Sequence, residues 1–198
     1  MLDEKDKFLE QIKNEVVILK SLLADIRRKD KVFPVIGEGG HYAKIMFVGE
    51  APGKNEAATG KPFCGAAGRV LNEMLKSISL DRKEVYVTNI VKDRPPENRD
   101  PLPEEIAIYA PFLDRQIDII KPEIIATLGR YSMAYVMTKF GLENELTSMG
   151  KMHGKIFEAK TSYGKIKIIP LYHPAAALYQ NSLKEQMFKD FKLLCENK

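Results

Sequence analysis

Tryptophan is missing from this 198-residue chain, and cysteine and histidine are scarce: Cys64 and Cys195, then His41, His153 and His173. The two cysteines stand far apart, no Cys-x-x-Cys occurs, and no zinc-ligand spacing can be assembled from these five residues. A disulfide between Cys64 and Cys195 would be out of place in a reducing compartment. No apolar run approaches the ~20 residues of a membrane span, so no membrane partner is expected. The opening residues, MLDEKDKFLEQ, are charged and carry no apolar core, which points to a cytoplasmic, nucleoid-associated setting rather than a secreted one. Phosphate-loop motifs are absent too. Gly60-Lys61 is followed by Pro62, Asn55 stands where the first glycine of GxxxxGK[ST] belongs, and there is no GxGxxG.

What is present suits one soluble globular domain. Apolar residues make up 44% and charged residues 29% of the chain, and a domain this long buries roughly 70% of its unfolded surface. The formal charge of +4 permits a polyanionic partner without requiring one.

Apolar spacing predicts a helix over 3–29, on Phe8, Ile12, Val16, Leu19, Leu23 and Ile26. The glycine-punctuated VFPVIGEGGHY then reads as loop. Strands are predicted at 44–49, 84–91, 123–129 and within 165–174, with helices at 66–78, 103–120, 131–140 and 182–196. The charged stretch after 140 reads as a hairpin or loop. Strand–helix alternation at this spacing implies right-handed crossovers and a parallel sheet covered on both faces, a three-layer α/β/α domain with four central strands. One domain spans 1–198, with the N-terminal helix packed on it.

In such sheets the ligand crevice lies outside the carboxyl ends of the strands. Three unusual segments fall there: GEAPG after the first strand, TN after the second and HPA after the fourth. The stretch VGEAPGKNEAATGKPFCG holds four glycines, two prolines, Glu50, Glu56 and one aromatic ring, Phe63. A tight turn explains Gly-Pro-Gly but not paired acids at a strand end. A lone phenylalanine is usually core; in so open a loop Phe63 gains a stacking role. Asn89 is either a turn cap or a base reader, since its amide offers one acceptor and two donors that match N3–H and O4 of uracil and mismatch cytosine. His173 is either a capped loop histidine or a donor to an anionic leaving group. Lys92, Arg94 and Arg99 in VKDRPPENRDP read as a solvated loop or as phosphate contacts.

GEAPGKNE, GKPFCGAAGRVL, YVTNIVKDRPPENRDP and YHPAAAL, in this order and spacing over roughly residues 30–195 and with LGRYSMA after the third strand, resemble the family 4 uracil-DNA glycosylases. The resemblance implies a four-stranded parallel sheet flanked by helices and hydrolysis of the bond between deoxyribose and an everted uracil. It places Glu50, Ala51 and Gly53 along the pocket, Glu56 near uracil C5 and the water, and Phe63 against the base. Asn89 would read the base edge, His173 would bond O2, Lys92 and Arg94 would meet phosphates, and Leu178 would plug the duplex. An aspartate holds the attacking water in the best-known branch of the superfamily; Ala51 occupies that position here, leaving Glu50 or Glu56 as substitutes, or catalysis that rests mainly on the leaving group.

Family 4 proteins usually carry a [4Fe–4S] cluster on four cysteines, two in the N-terminal region, one in the VKxRPP loop and one sixteen residues later. This chain has Asp93 and Tyr109 at the last two positions and no cysteine in residues 1–40. A cluster needs thiolates, so none is expected, and no metal. Apolar packing, with Tyr109 filling part of the gap, is expected to hold the N-terminal helix. The insertion of the relative that links covalently to abasic DNA is missing, so covalent capture is not expected. The expectation is a monomeric, cofactor-free, monofunctional enzyme acting on uracil-containing DNA. The alternatives are excision of another deaminated base such as hypoxanthine or xanthine, a non-catalytic damage-binding module, and a nucleotide-binding α/β domain.

Overall fold

In the computed structural model, which describes residues 3–196, two helices, α1 (Glu4–Ile18) and α2 (Leu22–Asp30), precede the sheet. The chain continues through β1 (Glu38–Gly39), β2 (Ile45–Gly49), α3 (Lys54–Thr59), α4 (Ala66–Ser77), β3 (Val85–Asn89), α5 (Pro103–Ile120) and β4 (Ile124–Leu128). It ends with α6 (Arg130–Lys139), α7 (Met149–Met152), β5 (Phe157–Thr161), β6 (Gly164–Leu171) and α8 (Asn181–Glu196). The expected domain limits at residues 1, 2, 197 and 198 lie outside the described residues.

Six strands form one sheet in the order β1-β3-β2-β4-β6-β5. The four central strands are parallel, as expected, but the sheet is mixed: β1 pairs antiparallel with β3, and β5 antiparallel with β6. The segment after 140 is therefore partly strand. Its polar β5 covers the edge of β6 and is half solvated, so it carries little of the apolar signal that marks the buried strands.

Alternation along the strands sorts the core into two layers. Met46, Val48, Tyr86 and Ile125 face α1, α5 and α6 through Leu9, Ile12, Val16, Leu113, Ile117 and Val136. Ile45, Phe47, Val85, Val87, Ile124 and Ala126 face α4 and α8 through Leu71, Met74, Met187 and Phe191. Two apolar faces on one sheet require helices on both sides, which is the physical basis of the three layers.

The N-terminal helix departs from expectation by breaking in two. Leu19 leaves helical geometry, and Ser21 caps α2 by accepting from the Ala24 N–H at 3.1 Å. Arg27, one turn into α2, donates to the carbonyls of Val16 at 3.1 Å and Val17 at 2.7 Å. Those carbonyls lie in the last turn of α1, where Val16 O also accepts from the Leu19 N–H at 3.3 Å. The break is thus stabilised by a side chain folding back on it, which apolar spacing does not reveal.

Candidate active site

Chain order places β2 at the centre of the sheet, with β3 added on one side and β4 on the other, and the crevice opens where the connections diverge. A cavity of about 500 Å³ lies there, lined among others by Glu50, Ala51, Gly53, Glu56, Phe63, Asn89 and His173. Eight of the residues singled out from sequence, these seven and Arg99, meet in this one place.

Backbone constraints set the ring of Phe63. Its φ is 49°, a conformation that a bulky side chain rarely adopts. Helix α4 passes so close that a methyl group at Gly68 would lie 1.7 Å from the Phe63 carbonyl oxygen. Strain of this kind persists only where surrounding structure imposes it, and it concentrates at ligand clamps. Beneath the ring lies Gly49, the last residue of β2. A methyl there would lie 2.2 Å from Asn89 Oδ1 and 2.7 Å from Phe63 Cζ. Glycine at this position lets the amide and the ring converge on one point.

Asn89 is buried, and its Oδ1 has no hydrogen-bond partner. A buried acceptor without a donor costs about 1–3 kcal/mol and is rare in folded proteins, so this atom calls for a ligand donor. Across the cavity, the rings of Phe63 and His173 lie 5.6 Å apart between centroids, tilted by 34°. His173 Nδ1 accepts from the Ala175 N–H at 3.2 Å. Burial lowers the imidazole from its ordinary value to about 4. A neutral ring with Nδ1 accepting must carry its proton on Nε2, so the histidine is a fixed neutral donor.

Both acids are held by main-chain N–H groups. Glu50 Oε1 accepts from the Tyr131 N–H at the start of α6 at 2.9 Å, and Glu56 Oε1 from the Gly65 N–H at 3.3 Å. Burial pushes the Glu50 carboxyl up, against the pull of the Tyr131 N–H. Helices α3 and α4 start at Gly53 and Gly65 with no side-chain cap, and both starts line the cavity.

The remaining wall is the loop over 95–101, which the sequence left as either solvated or in contact with phosphates. Pro95, Asn98, Arg99, Asp100 and Pro101 line the cavity. Arg99 grips Glu105 through two bonds of 2.9 and 2.6 Å, and Arg130 holds Asp100 at 2.6 Å. Tyr179, which was also missed, lines the mouth and is 89% exposed. The only signal for it was its place beside Leu178, which is 46% exposed and does not line the cavity.

The expected phosphate contacts fare differently. Arg94 faces a neighbouring cleft with Phe33, Lys54 and Glu97, its Nε 2.6 Å from Asn98 Oδ1. Lys92 is fully buried and presents nothing to a polyanion. Residue type in a charged loop suggested solvent or phosphate, but Lys92 folds back against the end of β3.

Asp93 and Tyr109 do not fit an iron–sulfur cluster. The Tyr109 hydroxyl donates to Asp93 Oδ2 at 2.6 Å and lies 3.0 Å from Ser21 Oγ, while Arg27 donates to Asp93 Oδ1 at 3.0 Å. Oxygens bonded to one another leave neither thiolate nor room at these positions, and both cysteines are exposed elsewhere. Among the described residues no group of three or more histidine, cysteine or acidic side chains is placed to hold a metal. The expected apolar packing, with buried Tyr109 in the gap, is present but is not the whole of the attachment. Leu9, Ile12 and Val16 do pack into the core, but a buried ion pair and two hydroxyls tie the N-terminal helices to the strand-end loop and α5.

Comparison with known proteins agrees with this geometry. The family model for the uracil DNA glycosylase superfamily matches residues 36–193. A type-4 uracil-DNA glycosylase of Sulfurisphaera tokodaii is 49% identical over 189 residues, 95% of this chain and 84% of that protein. Those of Archaeoglobus fulgidus and Saccharolobus solfataricus are 46% and 47% identical over 168 and 163 residues, covering 85% and 82% of this chain and 83% and 74% of theirs.

Proposed function

Because the chain belongs to the uracil-DNA glycosylase superfamily, we propose that it hydrolyses the N-glycosidic bond of deoxyuridine in DNA, starting base-excision repair without an iron–sulfur cluster. One observation carries this reading: the unpartnered Asn89 Oδ1 at the floor of a cavity shared with Phe63 and His173.

A base in a duplex hides its glycosidic bond, so the nucleotide must be everted at a cost of a few kcal/mol. Stacking on Phe63 offsets roughly 1–3 kcal/mol of this. The uncapped starts of α3 and α4 suit the flanking phosphates. Leu178 and Tyr179, at the exposed tip beyond His173, suit the space that the base vacates. Inside the cavity, Asn89 Oδ1 accepts the N3–H of uracil and the amide NH2 donates to O4. Cytosine offers an acceptor and a donor at those positions, and both bonds fail.

Cleavage of C1′–N1 leaves positive charge on the sugar and negative charge on uracil. The Nε2–H of His173 donates to O2 as that charge develops. Water then attacks C1′. Ala51 has no side-chain group to hold it; either Glu50 or Glu56, each already oriented by a main-chain N–H, takes that part, or catalysis rests mainly on the departing base.

The test is base release from uracil-, hypoxanthine- and thymine-containing oligonucleotides with EDTA present. Uracil release without metal and without strand cleavage is expected, from colourless, iron-free protein. Intact uracil in every substrate defeats the reading, and stoichiometric iron defeats its cofactor-free part. Asn89→Asp is expected to lower the ratio of uracil to cytosine release about 10–100-fold, since one bond of the pair is lost or reversed. An unchanged ratio means that another group reads the base.

A further inference from the structure

Lys92 was expected to touch phosphate, yet it is fully buried, directly beneath the residue that reads the base. Its Nζ lies 2.6 Å from the Asn89 carbonyl oxygen, 2.6 Å from Gln116 Oε1 and 2.8 Å from Thr88 Oγ1. All three act as acceptors. The main-chain oxygen can only accept. The Thr88 hydroxyl gives its proton to the Ile36 carbonyl at 2.6 Å. The Gln116 amide NH2 donates to Ile36 O at 2.9 Å and Tyr86 OH at 3.1 Å, so its Oε1 faces the lysine as acceptor. Three acceptors match the three N–H groups of an ammonium, and a neutral amine would leave one unmet. Burial acts the other way and pulls the ammonium well down from its ordinary value. None of the three partners is a carboxylate. A buried cation held by neutral oxygens alone carries a large desolvation cost, and such groups cluster at functional sites.

Position supplies the function. Asn89 closes β3 opposite Gly49, and two further main-chain bonds follow it, Ile90 N–H to Gly49 O and Val91 N–H to Glu50 O, both at 3.0 Å. Lys92 takes up the Asn89 carbonyl from below, while its own carbonyl accepts from the Val35 N–H at 2.8 Å. The side chain of Asn89 has an unpartnered oxygen in the cavity, so its aim depends on its main chain.

We propose that Lys92 is a positioning residue for base excision: bound to Thr88, Gln116 and the Asn89 carbonyl, it fixes the Asn89 main chain and so aims the reading amide. This rests on the uracil-excision reading above.

The experiment compares wild type with Lys92→Met for uracil release, inhibition by free uracil, and the salt dependence of binding to an abasic-site duplex. In Lys92→Met, kcat is expected to fall about tenfold or more, and free uracil to inhibit about tenfold more weakly, the effect of one charge-assisted bond. The slope of log affinity against log salt should stay at the wild-type value. A phosphate-contacting lysine would instead lower that slope by about 0.9. Loss of thermal stability with wild-type kcat and uracil inhibition would mean a merely structural lysine. Either of these two results overturns the proposal. Should Lys92→Met not fold, Thr88→Val removes one acceptor and should weaken uracil inhibition several-fold, with Thr88→Ser restoring it; wild-type inhibition in Thr88→Val overturns the proposal equally. A wild-type protein that releases no uracil points instead to failure of the functional reading.

Discussion

Substituting His173 by alanine is expected to slow uracil release about 10²–10³-fold with KM little changed, the usual consequence of losing one pre-placed donor to a developing anion. The Ala175 N–H bond to Nδ1 leaves the proton on Nε2, and burial keeps the ring neutral. No reorganisation is then needed when charge reaches the departing base. Single-turnover rates on a uracil duplex decide the matter, and a rate within tenfold of wild type would remove His173 from the chemistry. His173→Gln, which keeps an N–H donor, should recover part of the loss.

The same histidine sets a pH dependence of stability. Its folded value of about 4 lies below the ordinary 6.5 of a histidine, so between these pH values the unfolded chain binds a proton that the folded chain refuses. Stability therefore rises with pH across this window and is full above it. Acidification from neutrality to about pH 4 should cost at most about 3 kcal/mol through this group. Denaturant unfolding of wild type and His173→Ala at pH 7 and pH 4.5 isolates the contribution, since the variant lacks it.

The second large effect concerns the polar network where related proteins are expected to carry their cluster. Asp93→Ala leaves the Arg27 guanidinium buried without its counter-ion, and removing one partner of such a pair typically costs about 3–5 kcal/mol. For a domain of this size that lowers the melting temperature by about 10 °C. The double variant Arg27→Met with Asp93→Leu should regain much of the loss, because replacing both charges by apolar groups removes the desolvation cost together with the attraction. Calorimetry of the two single variants and the double variant closes the cycle. A melting temperature within 2–3 °C of wild type for Asp93→Ala would show that apolar packing of Leu9, Ile12 and Val16 suffices.

Much of the site could be read from the chain because its parts lie at strand ends. Gly49-Glu50, Asn89 and His173 each follow an apolar run, and a parallel sheet brings such ends together. Phe63 was legible for a different reason: an aromatic ring among glycines and prolines has no local core to join. Lys92 was misread since burial depends on what passes overhead, here Ile36 and Gln116 from remote segments. The hairpin reading of the stretch after 140 holds for β5 and β6, but the bounds of β5 stayed open because its half-solvated strand carries few apolar residues.

Local residue chemistry therefore determined the four central parallel strands, the crevice and the meeting there of Asn89 and His173, which follow from periodicity and from which polar residues end a strand, and it singled out Phe63 as a ring in an open loop. Tertiary contact alone decided the tautomer of His173, the orphaned oxygen of Asn89, the burial of Lys92 and the ion pair of Arg27 with Asp93. Each of those is a question of desolvation and of which donor finds which acceptor, and both are set by neighbours that the linear chain keeps apart.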